Sequence, residues 1–222
     1  MFKVLKIDTS TMTWKKYAVS LLIVNLCLVF IGYLILRIQS IGFLNPNGIS
    51  GMEESLSFNT IISFMTNTNL QHYAGESGLS YFSQMFVIIM MMFTSAATGF
   101  SACVAMVRGL LGRNMGNFYV DFIRIINRFL LPLSMIIGLF LVWQGVPQNL
   151  NSNIQLTTIE GKFQEIASGP IAALESIKHL GTNGGGFLGA NSATPLENPT
   201  ILSNMIELFS ICLLYTSPSP RD

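Results

Sequence analysis

Two long stretches of this sequence carry no charged side chain, and they constrain the fold more than any other feature. The first extends from Tyr17 to Leu36 and the second from Ser77 to Val107. An α-helix rises about 1.5 Å per residue, so about 20 apolar residues suffice to cross the hydrocarbon core of a bilayer. Both stretches are therefore predicted to be membrane-spanning helices.

Two further apolar runs follow. One begins near Phe129 and ends around Trp143, with an amphipathic lead-in, and it contains Pro132. A proline bends a helix and removes one backbone hydrogen bond, so we expect a kink there but no end to the helix. The other run starts at Ile201 and stops at Tyr215, before it is long enough to span. The sequence thus predicts an all-α integral membrane protein.

Composition agrees with a membrane protein. The chain has 222 residues, of which 50% are hydrophobic and 10% charged, whereas soluble domains carry roughly 25% charged residues. Its formal net charge of +1 provides no basic field, so lipid is an expected partner and nucleic acid is not. Cys27, Cys103 and Cys212 lie far apart in apolar runs, and we interpret them as small hydrophobic side chains rather than zinc or redox ligands.

Positive charge near the ends of the spans predicts their orientation. The connection between the second and third spans contains four arginines: Arg108, Arg113, Arg124 and Arg128. Lys15 and Lys16 precede the first span and fall on the same side if three helices cross in alternation. Because cytoplasmic connections are enriched in Lys and Arg, we assign this side to the cytoplasm. The connections after the first and third spans then face outwards.

Each outward connection contains an apolar segment that is too short to cross a bilayer, from Leu56 to Met65 in the first and from Ile171 to Leu180 in the second. Each segment is followed by a polar run that favours turns. These runs are Thr66-Asn67-Thr68-Asn69-Leu70-Gln71 and Thr182-Asn183-Gly184-Gly185-Gly186. The order helix, half-helix, loop, helix therefore occurs twice, and on the sequence alone Thr66 aligns with Thr182.

Irregular backbone at membrane depth indicates an ion path. An unpaired amide or carbonyl in lipid costs several kcal/mol, so such a loop must be buried in protein or line a wet cavity. A half-helix that ends there presents free carbonyls and a partial negative charge, which suit a dehydrated cation and repel an anion. The glycines 184–186 permit backbone angles that would let successive carbonyls replace water around the ion.

Several polar side chains near these loops have two interpretations. We expect Gln71 to shape the entrance of the ion path, and the alternative is a solvated loop amide. For His179, a hydrogen bond to a backbone carbonyl is favoured over a role in tuning the field at the loop. Four carboxylates lie at segment ends, where surface helix-end charges are favoured over a vestibule that attracts cations. They are Glu53, Glu54, Glu76 and Glu175.

These residues resemble the KdpA family, the potassium-binding subunits of bacterial Kdp potassium-transporting ATPases, over roughly residues 12–211. The motifs that carry the resemblance are Met12-Thr13-Trp14-Lys15-Lys16-Tyr17, Ser63-Phe64-Met65-Thr66-Asn67-Thr68-Asn69-Leu70-Gln71, Leu79-Ser80-Tyr81-Phe82-Ser83-Gln84-Met85, Leu180-Gly181-Thr182-Asn183-Gly184-Gly185-Gly186-Phe187 and Glu197-Asn198-Pro199-Thr200. This sequence departs from the family pattern at Leu70, where an aromatic residue is usual, and at Leu188-Gly189, where Phe-Asn is commoner.

The resemblance implies a multi-pass subunit of the bacterial inner membrane, built like a potassium channel from four helix–pore loop–helix repeats. About two repeats would be present, residues 14–112 and 113–214, preceded by the segment 1–13 and followed by a non-native tail, 215–222. A K⁺ filter would face outwards. Its residues here would be Thr66, Asn67, Thr68, Asn69, Gln71, Thr182, Asn183, Gly184, Gly185 and Gly186.

The resemblance also implies partners. Captured K⁺ would pass to a P-type ATPase subunit that hydrolyses ATP, in a complex with small accessory membrane subunits. This chain would be non-catalytic and would bind no nucleotide, since it contains no GxxxxGK[ST] loop. The alternative is a self-contained potassium channel or secondary transporter with the same repeats. A membrane enzyme is a third class, for which the spans offer no converging nucleophile, base or metal ligands.

Overall fold

The computed structural model describes residues 8–41 and 43–216. The start of the predicted N-terminal segment and residues 217–222 of the predicted tail lie outside the described residues. The helices are α1 (Trp14–Ile38), α2 (Glu54–Met65), α3 (Gly75–Gly78), α4 (Tyr81–Ser83), α5 (Met90–Leu110), α6 (Phe118–Ile125), α7 (Leu131–Trp143), α8 (Ile171–Leu180) and α9 (Ile201–Thr216). The strands are β1 (Ile154–Thr157) and β2 (Phe163–Ile166).

Three helical stretches are long and apolar enough to cross a membrane, and we call them the first, second and third spans. They run from Trp14 to Ile41, from Tyr81 to Leu110 and from Phe118 to Trp143. All three predicted spanning helices are therefore confirmed, as is the membrane character of the chain. The second span joins α4 to α5 through a π-helical segment, Gln84–Ile89, and the third joins α6 to α7 through another, Ile126–Leu130.

Pro132 lies in the third span directly after its π-helical segment. Proline has no amide hydrogen, and its ring conflicts with the carbonyl four residues earlier, so a widened turn at this point accommodates it. The helix continues to Trp143. The expectation that Pro132 does not end the helix is confirmed.

The spans are tied together at the end where the arginines cluster. Arg108 of the second span forms a salt bridge with Asp121 of the third, with 2.6 Å between Nη1 and Oδ2. The hydroxyl of Tyr17 in the first span donates to the same oxygen at 3.3 Å and to the Ser101 carbonyl at 2.9 Å. Asp121 is buried, so this charge is paired and hydrogen-bonded as a buried carboxylate requires.

The two short apolar segments form helices, which we call the first half-helix (α2) and the second half-helix (α8). The first begins after Glu53, whose carboxylate accepts from the Leu56 amide at 2.8 Å and from the Ser55 hydroxyl at 2.6 Å. These bonds, the Ser55 hydroxyl first, lower the pKa of Glu53 to about 2. The predicted surface helix-end role fits Glu53, which caps the helix that follows it.

The second half-helix lies in the centre of the fold. It packs against the third span, against α9 and against the π-helical part of the second span. Of its ten residues, only Ala173 is not buried. The backbone that follows this half-helix is thereby embedded in protein, which is the condition for irregular structure at membrane depth.

A β-hairpin between the third span and the second half-helix is the one feature of the described residues that the all-α prediction lacks. Its strands pair antiparallel, with Ile154 opposite Ile166. Their side chains are largely exposed; the first strand alternates apolar and polar residues over only four positions and the second does not alternate, so the pattern is too short to predict a hairpin. The loop before the first strand is held by Asn153, whose amide N–H donates to Asn47 Oδ1 at 3.0 Å.

Candidate cation-binding site

The polar runs that follow the two half-helices form turns with the same hydrogen-bond pattern. We call residues 66–71 the first turn and residues 181–186 the second turn. In the first, three successive amides close back on the half-helix: Thr66 on Ile62 (3.0 Å), Asn67 on Phe64 (3.2 Å) and Thr68 on Ser63 (2.9 Å). In the second, the matching bonds are Gly181 on Ile177 (2.7 Å), Thr182 on His179 (3.2 Å) and Asn183 on Lys178 (2.8 Å).

This pattern fixes how the two turns correspond. Asn67 and Thr182 both adopt left-handed backbone angles, with φ of 56° and 55°. They are therefore equivalent, and Thr66 corresponds to Gly181. The sequence alignment of Thr66 with Thr182 is wrong by one residue, because it matched identical side chains whereas the turn geometry is set by the distance from the end of the helix.

The two turns lie side by side at the middle of the second span. Ser95, halfway between Tyr81 and Leu110, places its hydroxyl 3.5 Å from Asn67 Oδ1 and 3.4 Å from Asn183 Oδ1. The Asn183 side chain donates to the Met92 carbonyl at 3.3 Å. The turns thus reach the centre of a helix long enough to cross the bilayer.

Gln71 links the first turn to the second by two hydrogen bonds. The Gly186 amide donates to Gln71 Oε1 at 2.9 Å, and Gln71 Nε2 donates to the Gly186 carbonyl at 3.1 Å. Gly185 has a φ of +80°, and a Cβ on it would lie 2.3 Å from Gln71 Oε1. Only glycine therefore fits beneath this side chain.

The carbonyls of the turns fall into two groups. Those of Leu70, Gly185 and Gly186 accept hydrogen bonds from Ser63, Lys178 and Gln71, respectively. Eight others accept none within the described part of the chain: those of Asn67, Thr68 and Asn69, the equivalent ones of Thr182, Asn183 and Gly184, and those of Thr66 and Gln71 at the two ends of the first turn. The Gly181 carbonyl accepts from Asn67 Nδ2 at 3.5 Å. A run of carbonyls without protein donors, placed beyond the negative end of a helix, can ligate a dehydrated cation.

A cavity of about 630 Å³ adjoins both turns, and Thr66, Asn67 and Thr182 form part of its wall. The opposite wall comes from the first and second spans. It includes a polar pair, in which the Thr98 hydroxyl donates to Asn25 Oδ1 at 3.1 Å. Polar side chains inside membrane spans are costly unless they face protein or water, and Thr98 and Asn25 satisfy each other within a wall that is otherwise mostly apolar.

Behind the second turn lies a cluster of charged and polar side chains. Its buried members are Glu175, Lys178, His179, Glu197 and Glu207, and the half-buried Ser192 joins them. The surface role predicted for Glu175 is wrong, since its side chain has no exposed area and contacts the Lys178 ammonium. The backbone bond predicted for His179 is also wrong, because its Nε2 lies 3.2 Å from Glu207 and 2.9 Å from Ser192. Burial, and the Glu175 charge nearby, raise the pKa of Glu197.

One sequence signal for this cluster was available. Glu175, Lys178 and His179 are spaced three and four residues apart, which places them on one face of a helix. What the sequence cannot supply is the partner from α9, Glu207, which packs against that face. Without this partner, a helix face that carries acidic and basic side chains is interpreted from the sequence as exposed to solvent.

Comparison with known proteins gives a consistent result. The family model for KdpA, the potassium-transporting ATPase A subunit, matches residues 1–218. A potassium-binding subunit of a potassium-transporting ATPase from Caldanaerobacter subterraneus subsp. tengcongensis is 59% identical over 93% of this chain. Proteins with the same description from Clostridium acetobutylicum and Staphylococcus aureus are 56% and 53% identical over 91% and 96% of it. The chain covers 37% to 38% of the length of these relatives.

Proposed function

We propose, on the premise that this chain belongs to the KdpA family of potassium-transporting ATPase A subunits, that its two turns form part of a K⁺-selective filter in the whole protein. The observation that carries the proposal is the pair of equivalent carbonyl runs, 67–69 and 182–184, that have no protein donors within the described residues. Potassium is the proposed ion because the relatives are potassium-binding subunits of potassium-transporting ATPases.

The ten predicted filter residues divide by role in this proposal. Asn67, Thr68, Asn69, Thr182, Asn183 and Gly184 offer backbone oxygens to the ion. Thr66 continues the first run towards the cavity, whose wall it forms. Gln71, Gly185 and Gly186 hold the turns together, since their polar groups already bond to protein. Neutral oxygens bind K⁺ weakly enough for release, as conduction requires.

We further propose that the filter is completed by parts of the protein that this chain does not contain. Two turns of matching geometry support a repeated unit, residues 14–112 and 113–214, of which a closed filter needs four copies. The cavity beside the turns would receive the ion after it passes the filter. From there K⁺ would reach a P-type ATPase subunit, which would hydrolyse ATP in a complex that includes small accessory membrane subunits.

Transport by reconstituted protein tests this proposal. Full-length protein placed in vesicles with its ATPase partner is expected to take up K⁺ only when ATP is supplied, because in this proposal the partner's ATP hydrolysis drives transport. The measurement is ⁴²K⁺ tracer uptake with and without the partner and with and without ATP. Rapid uptake by the full-length protein alone would instead support the self-contained channel.

The proposed orientation in the inner membrane has its own test. In a background where Cys27, Cys103 and Cys212 are replaced by serine, a membrane-impermeant maleimide is expected to label Lys162→Cys on intact cells. Lys162 lies in the β-hairpin connection and its side chain is 81% exposed. Arg113→Cys, in the arginine-rich connection, is expected to react only after permeabilisation. The reverse labelling would place the turns on the cytoplasmic side.

A further inference from the structure

The Lys178 ammonium is buried directly behind the second turn. Its side chain has no exposed area, and its Nζ contacts the Glu175 carboxylate and the Ser192 hydroxyl. It also donates to the Gly185 carbonyl at 3.4 Å. A charged group this far from water is tolerated only because a carboxylate neutralises it and its hydrogen-bond positions are used. The ammonium therefore bonds a filter-loop carbonyl with a fully compensated charge.

The first turn has a support at the equivalent position. Ser63 corresponds to Lys178, and Leu70 corresponds to Gly185, each pair being seven residues apart. The Ser63 hydroxyl accepts from the Leu70 amide at 2.7 Å and lies 3.2 Å from the Leu70 carbonyl. In each turn, the first carbonyl after the run without protein donors, that of Leu70 or Gly185, is contacted by a side chain of the preceding half-helix.

The second turn has greater need of a strong support. Gly185 and Gly186 have φ of +80° and +151°, angles that only glycine adopts readily, so this backbone can rearrange at low cost. A hydrogen bond from an ammonium is about twice as strong as one from a neutral hydroxyl. The ammonium–carbonyl distance of 3.4 Å is longer than the two Ser63 bonds. The support of the second turn therefore comes from the charge of the ion pair rather than from a short hydrogen bond, and it acts on the more flexible of the two segments.

The cluster around Lys178 resembles a divalent metal site, and the charges argue against that interpretation. Ligand atoms of Glu175, His179 and Glu207 lie within 4.8 Å of one another. However, the ammonium contacts the same Glu175 oxygen that faces His179. The positive charge that Glu175 requires is supplied by Lys178.

We propose that Lys178 is a positioning residue for K⁺ selection: paired with Glu175, it holds the Gly185 carbonyl away from the ion, so that the ion-facing run of the second turn ends at Gly184. This inference rests on the proposed filter function. If the ammonium is removed, the Gly185 carbonyl becomes free to turn towards the ion. The site then gains an extra mobile oxygen, and a filter with more and looser ligands discriminates less well between K⁺ and the larger Rb⁺.

The test uses the full-length protein in its ATPase complex with the double substitution Glu175→Gln/Lys178→Met. Replacing both members avoids leaving one buried charge unpaired, which would itself cost about 3–5 kcal/mol. The half-saturating K⁺ concentration is expected to rise about tenfold and the preference for K⁺ over Rb⁺ to fall about fivefold, with the maximal rate nearly retained. Wild-type values of both quantities in an assembled complex would overturn the proposal. Lys162→Met, on the exposed hairpin, serves as the matched control and should change neither.

A second variant decides the matter if the double variant does not assemble. Ser63→Ala removes the equivalent support in the first turn with the loss of a single hydroxyl, and it is expected to lower the preference for K⁺ over Rb⁺ about threefold. An unchanged preference would overturn the proposal. Gly184→Asp, measured in the same assay, separates the hypothesis that the turns form a filter from the hypothesis that Lys178 positions the Gly185 carbonyl. If it alters selectivity while the support variants do not, only the role of Lys178 fails; if it too has no effect, the filter function fails.

Discussion

Replacement of Gly184 by aspartate in the full-length protein is expected to abolish selective K⁺ transport. A Cβ on this glycine would lie 3.3 Å from Asn69 Cβ and 3.5 Å from the Asn69 carbonyl oxygen. The new carboxylate would therefore enter the space between the two carbonyl runs. A fixed negative charge binds cations without regard to size and hinders release, so the preference for K⁺ over Rb⁺ should fall at least about tenfold and the rate should drop with it.

Gly184→Ala is the matched control, because it adds the same Cβ without the charge. A contact of 3.3 Å requires a shift of a few tenths of an ångström, which the exposed edge of the first turn can supply. Alanine is thus expected to keep most of the selectivity. Competition between K⁺ and Rb⁺ for ATP-driven uptake measures both variants. Equal loss in the two would show that bulk, and not charge, is the cause; full selectivity in the aspartate variant would remove Gly184 from the filter.

Replacement of Gln71 by leucine is expected to weaken K⁺ binding by separating the two turns. Leucine has a similar volume and cannot make the two bonds to Gly186. Each unpaired, partly buried polar group costs about 1–3 kcal/mol, so the half-saturating K⁺ concentration should rise on the order of 10- to 100-fold. K⁺-stimulated ATP hydrolysis by the complex provides the measurement.

The control for this change is Gln155→Leu in the β-hairpin. Its side chain faces solvent and makes one 3.3 Å contact with Glu165, so no effect on the K⁺ dependence is expected. If Gln71→Leu left half-saturation at the wild-type value, the inter-turn bonds would be irrelevant to the ion. A matching loss in both variants would point to assembly rather than to the filter.

The membrane helices were predictable from the sequence because hydrophobicity is a local property. The second half-helix has the bounds expected from its apolar residues, Ile171 and Leu180, and the third span passes Pro132 as expected. Lipid imposes length and polarity on each segment separately. Interactions with distant residues are not needed to define where such a helix begins and ends.

The hairpin and the buried cluster were not predictable in this way. The hairpin is held by Asn47, more than a hundred residues earlier in the chain, and the apolar alternation in its own residues covers only the four positions of the first strand. The burial of Glu175 depends on the loop and on α9, which supply Ser192 and Glu207. The correct alignment of the two turns, Asn67 with Thr182, follows from the backbone hydrogen bonds. The side-chain identities suggested an alignment that differs by one residue. Long-range packing decides all three.

The depth at which the second half-helix is buried has a consequence for biosynthesis. This helix carries Glu175, Lys178 and His179. Their partners from later segments of the same chain, Ser192 and Glu207, are translated after it. The helix has apolar residues, but its ionisable side chains are costly in lipid when they are unpaired. The nascent chain must therefore keep it at the membrane surface or within the insertion machinery until α9 has been made. The second turn is therefore expected to reach its final position only after α9 is in place.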